Sequence, residues 1–175
     1  MAICPQTLTG IQLDCTTSQG GIKKVWVADY STVEVTKPTG DKLTSTDIKM
    51  VGDSKFIGYE FRRGTASLTE TLTADETTGV NYITQELSLV FTRKDTVKRI
   101  EMAALSIGQL AVIVLDSNGV YWYLGIDDYV SASAGGSESG VSKQDRNAYT
   151  LTLKTESSHY AYEIDETVID TLIKE

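Results

Sequence analysis

A tight turn between two apolar runs constrains the fold of this chain more than any other feature. Residues 110–115 read Leu-Ala-Val-Ile-Val-Leu, and residues 120–126 are rich in aromatic and branched side chains. The four residues between them, Asp116-Ser117-Asn118-Gly119, contain an Asn-Gly pair, which tolerates the positive φ angles of a hairpin turn. We therefore predict an antiparallel hairpin. Its first strand should be buried on both faces, because the run is continuously apolar.

A second, longer hairpin is predicted from alternation of apolar and polar residues. Residues 65–74 and 80–92 flank the turn-forming cluster Asp-Glu-Thr-Thr-Gly at 75–79. Side chains of a strand point alternately to its two faces, so this pattern gives one apolar and one polar face. The polar face carries Thr69, Thr71, Thr73 and Glu86. It could be an ordinary hydrated sheet surface or a surface that pairs with a neighbouring subunit.

Two helices are predicted among further short strands. The first spans about 95–107, with Asp95 or Thr96 as its N-cap and Gly108 at its end. Its apolar stripe consists of Val97, Ile100, Ala104 and Ile107, widened by Met102 and Leu105. The second spans about 165–174 and is capped by Asp165. Strands are predicted at 22–28, 33–36, 47–51, 56–62 and 148–155.

Residues 131–148 are rich in Gly and Ser, and we predict a flexible loop there. Together these elements predict a mainly β (α+β) fold in a single domain over residues 1–175. We expect an antiparallel β-sandwich or partly closed barrel, with one internal helix and one C-terminal helix.

The charge balance disfavours a nucleic-acid-binding protein. The chain has 24 acidic and 16 basic residues, a formal net charge of −8, whereas nucleic-acid binders neutralise phosphates with Lys and Arg. The same charge suits a protein that lies near DNA without adhering to it. No apolar run approaches the length of a membrane helix, and no secretory signal is recognisable, so we expect no membrane association.

Residues that could carry chemistry are few and poorly grouped. Cys4 and Cys15 form no CxxC motif, and His159 has no partner at ligand spacing. Ser137 lacks the full nucleophile-elbow pattern. Asp127-Asp128 could bind a cation, but adjacent strand residues point to opposite faces, which favours a turn. We therefore predict no catalytic residue, no cofactor and no metal site.

Two other groups of residues leave alternatives open. The basic pairs Arg62-Arg63, Arg93-Lys94 and Lys98-Arg99 could form salt bridges between subunits or be solvated. Trp26, Trp122 and the nine tyrosines could line a ligand groove, although core and interface packing is the commoner use of aromatic residues.

Four stretches of the chain resemble the tail-tube and related structural proteins of tailed bacteriophages, especially phages of gut anaerobes. The stretches are residues 10–15 with 20–23, residues 61–70, residues 116–125, and Ser139-Gly140 with residues 145–153. The resemblance implies that usually six copies form a ring by joining their sheets into an inner β-barrel, and that rings stack into a tube through which DNA passes. It implies a non-enzymatic virion protein that is made in the host cytoplasm.

Under this resemblance the chain's partners are itself and other phage tail or neck proteins, with only transient passage of DNA. Hairpin 65–92 is the candidate for lining the lumen of the ring, with its polar face in contact with water. The loop is the candidate contact to the next ring, through Ser139, Gly140, Lys143, Asp145 and Arg146. The alternatives are a single-ring neck, connector or tail-terminator protein, a carbohydrate- or host-binding module and, last, an enzyme such as a hydrolase that uses Asp127 and Glu residues.

Overall fold

The computed structural model describes residues 8–174, and the fold is mainly β, as predicted. Strands make up 46% and helices 13% of the described residues, and the sheets are antiparallel in the main without closing into a barrel. The described strands form a six-stranded, a four-stranded and a two-stranded sheet. The arrangement is that of a β-sandwich with two added helices.

The twelve strands and two helices follow one another along the described chain. The strands are β1 (Ile22–Asp29), β2 (Val33–Val35), β3 (Lys42–Leu43), β4 (Ile48–Met50), β5 (Ile57–Tyr59), β6 (Ser67–Asp75), β7 (Val80–Thr92), β8 (Leu110–Asp116), β9 (Tyr121–Leu124), β10 (Ser131–Glu138), β11 (Ala148–Ser157) and β12 (Tyr162–Ile164). The helices are α1 (Thr96–Ile107), between β7 and β8, and α2 (Glu166–Leu172), after β12.

The predicted hairpin around Asn118-Gly119 lies at the centre of the six-stranded sheet. The strand order is β3-β12-β9-β8-β1-β5, and residues 110–114 of β8 are all buried. Gly119 has a φ of +88°. The Asp116 carboxylate accepts hydrogen bonds from the backbone amides of Asn118 and Val120, and from Nε1 of Trp122 at 3.0 Å. These bonds fix the turn, so the predicted hairpin is confirmed.

Both faces of the six-stranded sheet are covered, which gives the molecule three layers and two apolar cores. The four-stranded sheet packs on one face; this first core includes Val25, Val27, Leu87, Leu89, Val112, Val114, Leu151 and Leu153. Helix α2 and the two-stranded sheet β2-β4 cover the other face; this second core includes Trp26, Ile48, Phe56, Ile113, Tyr123, Ile164, Val168, Ile169 and Leu172. Burial on two sides explains the unbroken apolar run of β8.

The first helix forms where predicted, but most of its apolar stripe faces away from the core. Asp95 caps the helix, its side chain accepting from the amide of Lys98 at 2.8 Å. Leu105 is buried, and it joins the first core together with the half-buried Met102. Val97, Ile100 and Ile107 are 71%, 55% and 87% exposed. The helix contacts β10 and β11, and Glu101 accepts a hydrogen bond from Tyr59 of β5 at 2.9 Å. It therefore closes one side of the sandwich.

The prediction of a loop over 131–148 is wrong for its first half. Residues 131–138 form β10, which pairs with β11 from Ser131↔Lys154 to Glu138↔Ala148. Ser, Ala and Gly have little strand preference of their own, so this strand depends on hydrogen bonds to its partner. Smaller differences are the short strands β3 and β12, which were not predicted, and the shorter extents of β5 and α2. Cys4 lies outside the described residues.

Candidate assembly interface

The four-stranded sheet has two edges without a strand partner among the described residues. Its order is β10-β11-β7-β6, and every neighbouring pair is antiparallel. One edge is β6, of nine residues, and the other is β10, of eight. Because directions alternate across four strands, β6 and β10 run in opposite directions. Each edge therefore presents backbone groups that suit antiparallel pairing with the other edge of a second copy.

The outer face of this sheet is polar and contains the first group of predicted site residues. Thr69 lies opposite Glu86 and Thr71 opposite Thr84 in the β6–β7 ladder, with Thr73 opposite Tyr82. Thr69, Thr71, Thr73 and Glu86 are all exposed. Residues of β11 extend the same face, where the Lys154 ammonium lies 3.0 Å from the Glu156 carboxylate. The structure thus brings the four predicted residues together on one surface.

The second group of predicted residues lies in the turn between β10 and β11. The Asp145 carboxylate accepts from the backbone amides of Val141 and Ser142 at 2.7 and 2.6 Å. These bonds hold the pKa of Asp145 below its ordinary value. Gly140 has a φ of +70°, and a Cβ there would lie 2.4 Å from the Cβ of Asp145. The turn is therefore a specific hydrogen-bonded structure.

The remaining residues of that turn are exposed at its surface. Arg146 forms an ion pair with Glu138 at the end of β10. Ser139 donates from Oγ to the carbonyl oxygen of Gly140 at 3.3 Å, and Lys143 is exposed. The two groups of predicted residues are not brought together, because β7 and β11 separate β6 from β10. At about 4.8 Å per strand, the two edges lie about 14 Å apart.

A buried polar cluster, which the sequence analysis missed, joins β6 and β7 to the far side of the sandwich. Gln85 is 1% exposed on the apolar face of β7. Its Nε2 donates to Glu70 at 3.0 Å, and its Oε1 accepts from the amide of Gly125 at 3.1 Å. Glu70 also accepts from the amide of Ala161 at 2.6 Å. The available sequence signal was a single polar residue within the apolar alternation of β7.

Asp127 is held in a second polar cluster. Its carboxylate lies 2.6 Å from Nζ of Lys37 and accepts from Ser157 Oγ, Ser158 Oγ and the Ser158 amide at 3.1, 2.6 and 2.7 Å. Burial by itself would raise the pKa of Asp127, but the bonds from Lys37, Ser158 and Ser157 outweigh it and lower the pKa well below its ordinary value. The neighbouring Asp128 accepts from the amide of Tyr129. The two carboxylates therefore have separate structural partners.

The basic residues near α1 have local partners too. Lys98 binds the Asp95 carboxylate and the carbonyl oxygens of Thr92 and Arg93. Lys94 donates to Ser137 of β10 at 3.2 Å and lies over the Tyr149 ring. These contacts attach the start of α1 to the β10 edge.

The described residues offer little to a metal-binding or aromatic ligand site. Within 8–174 no group of three or more His, Cys, Asp and Glu residues could hold a metal ion. Trp26 is buried in the second core. Trp122 is half-buried and hydrogen-bonded to Asp116, and the exposed His159 packs on Tyr162 with ring centroids 5.7 Å apart. No helix over these residues is long and apolar enough to span a membrane.

Comparison of the chain with protein-family models, with curated proteins and with solved structures found no match in any of the three.

Proposed function

We propose that the chain is a non-enzymatic virion structural protein that forms rings of identical copies, which stack into a phage tail tube. The proposal rests chiefly on one observation, the two unpaired edges of the four-stranded sheet. Long exposed edges invite pairing with other chains, and monomeric proteins commonly blunt them with Pro or Lys. Strand β6 has neither residue over its nine positions.

Head-to-tail joining of β6 in one copy to β10 in the next would continue the sheet without changing its antiparallel pattern. Such a heterologous contact produces a ring when the rotation between copies closes. Six copies, the number implied by the resemblance, would contribute 4 × 6 = 24 strands. Strand β10 has a bulge between Ala132 and Ala134, so the stretch that remains regular for such pairing is 134–138.

The faces of the sheet favour a ring with a hydrated lumen. The inner face of the sheet packs in the first core, so the polar face with Thr69, Thr71, Thr73 and Glu86 is the face that contacts solvent. A net charge of −8 on each copy opposes adhesion of DNA phosphates. Hydroxyl groups and carboxylates lining the tube would therefore let DNA pass without binding.

Proline in the β6 edge tests the proposal. Successive residues of a strand direct their amides alternately toward the two sides, so either Thr71→Pro or Leu72→Pro removes only an outward donor. We expect the wild-type protein at high concentration to form rings or tubes by electron microscopy and analytical ultracentrifugation. At least one proline variant should remain folded, by circular dichroism, but monomeric.

Glu76→Pro is the matched control, because Glu76 lies in the hairpin turn outside the edge, and the second position of a turn accepts proline. This variant should assemble like the wild type. A wild-type protein that stays monomeric at millimolar concentration contradicts the proposal. Single rings that never stack would indicate the neck, connector or terminator alternative.

A further inference from the structure

The N-terminal segment and helix α1 each expose apolar side chains that no other residue within 8–174 covers. Residues 8–19, which we call the arm, precede β1 without regular secondary structure, and Leu8, Ile11 and Leu13 are 90%, 101% and 97% exposed. On α1 the exposed residues Val97, Ile100, Ala104 and Ile107, which we call the stripe, form one continuous side. We propose that the arm of one copy docks on the stripe of a second copy.

The two surfaces match in length. The stripe runs from Val97 to Ile107, which at 1.5 Å per residue is about 15 Å of helix. The arm from Leu8 to Leu13, extended at about 3.3 Å per residue, spans about 17 Å. Side chains of an extended segment alternate, so Ile11 and Leu13 point to the same side and can meet the stripe together, with the small Ala104 leaving room between Ile100 and Ile107.

The charged residues predict which way the arm runs along the helix. Asp14 follows Leu13 directly in the arm, whereas Arg93 and Lys94 directly precede the N-cap of α1, near the start of the stripe, and all three are exposed. An acidic group is also favoured near a helix N-terminus. Leu13 should therefore lie beside Val97, with Asp14 among the basic residues, and Leu8 should lie toward Ile107.

The arm is anchored at its base and is long enough to reach a second copy. Its base is tied to the β8–β9 turn, where the Gln19 amide donates to Asn118 at 2.8 Å. From Gly20 the twelve residues to Leu8 can reach about 40 Å. In the single chain the arm does not lie on its own helix, so its apolar side chains and the stripe both stay exposed. A second copy offers each of these two surfaces the complementary one.

This contact rests on the proposed self-assembly and adds a second interface to it. A short arm on one helix buries less than the roughly 1,200–2,000 Å² of a stable protein interface. We therefore expect the arm to strengthen an assembly already held at the sheet edges β6 and β10, since every copy provides one arm and one stripe.

Disulfide crosslinking tests the contact, because Cys15 is an exposed cysteine two residues after Leu13. In a Cys4→Ser background, we expect Thr96→Cys, at the start of the stripe, to give crosslinked dimers and larger species on mild oxidation of the assembled protein. Non-reducing gels measure their yield. The control cysteine Thr46→Cys, exposed near β4 on the far side of the molecule, should give at least fivefold less.

A second substitution separates docking from chance collision. Adding Ile100→Asp should lower the crosslink yield at least fivefold, whereas Ile57→Asp should leave it unchanged; the two isoleucines are 55% and 56% exposed. Crosslinks only within one chain, equal yields at Thr96→Cys and Thr46→Cys, or insensitivity to Ile100→Asp would overturn the arm contact. If rings still form by electron microscopy in those cases, the proposed function stands without it. A protein that neither assembles nor crosslinks overturns both.

Discussion

Gly79 and Gly140 have the same backbone angle and different surroundings. Both have a φ of +70°, in the left-handed region that costs an L-residue about 1–2 kcal/mol. A Cβ at Gly79 would meet no atom within 4 Å, whereas at Gly140 it would lie 2.4 Å from the Asp145 Cβ. The β10–β11 turn therefore requires glycine for space as well as for φ.

We expect Gly79→Ala to lower the free energy of unfolding by about 1–2 kcal/mol. Gly140→Ala should lower it by about 2–4 kcal/mol, because the added clash displaces Asp145 from the turn. Urea denaturation of the two variants measures both values. Equal losses would mean that Gly140 and Asp145 are not closely packed in the turn between β10 and β11.

The stability that the Asp127 carboxylate contributes should depend on pH. Its pKa in the folded protein is lowered, so its bonds stabilise the fold fully above the unfolded pKa of about 3.9 and lose that effect as pH falls toward the folded pKa. Asp127→Asn should lower the free energy of unfolding by about 1–3 kcal/mol at pH 7. The difference from wild type should shrink steadily below about pH 4.

Asp128→Asn is the control for that measurement, since among the described residues the Asp128 carboxylate accepts a hydrogen bond only from the amide of Tyr129. It should change stability by less than about 0.5 kcal/mol at every pH. Urea denaturation between pH 7 and pH 2.5 compares the three proteins. A loss in Asp127→Asn that stays constant over this range would contradict the assigned role of the carboxylate.

At the scale of elements, α1 shows that apolar spacing predicts a helix without fixing the side that is buried. Leu105 is 4% exposed and Ile100 is 55% exposed. Leu105→Ala should lower the free energy of unfolding by about 2–5 kcal/mol through loss of core packing. Ile100→Ala should change it by no more than about 0.5 kcal/mol. Thermal and urea denaturation rank the two variants, and the reverse ranking would mean that the stripe packs on the core.

Elements whose own side chains specify them were predictable from the sequence. Strands β8 and β9 carry apolar residues around an Asn-Gly turn, and β6 and β7 alternate, so their hairpins and the polar face of Thr69 and Glu86 followed directly. Strand β10 was missed because Ser-Ala-Ser-Ala-Gly-Gly has no strand pattern and depends on pairing with β11. The unpaired edges could not be predicted from the sequence either, because strand order depends on contacts between residues far apart in the chain.

At the scale of the whole molecule, the two main sheets differ in what covers them. The six-stranded sheet is buried on both faces, by the four-stranded sheet on one side and by α2 with β2-β4 on the other. The four-stranded sheet is covered on one face only and keeps both edges open. The single copy therefore buries more of the six-stranded sheet, while the open edges that we propose for ring formation belong to the four-stranded sheet. This division leaves the polar face free to vary without loss of the core.

For the proposed ring, that division predicts which face lines the channel, and DNA binding tests the prediction. Glu86→Lys reverses a charge on the polar face, and because Glu86 lies on the inner strand β7 this change adds no Lys to either sheet edge. Glu34→Lys makes the same change on β2, on the opposite side of the molecule; both residues are exposed. If the polar face lines the lumen, the Glu86→Lys variant should assemble and hold linear DNA at least tenfold more tightly than wild type. This binding should weaken steeply with salt as counterions are released. Filter binding and electron microscopy over a salt series compare the three assemblies. Equal or stronger retention by the β2 variant would place the polar face outside the channel.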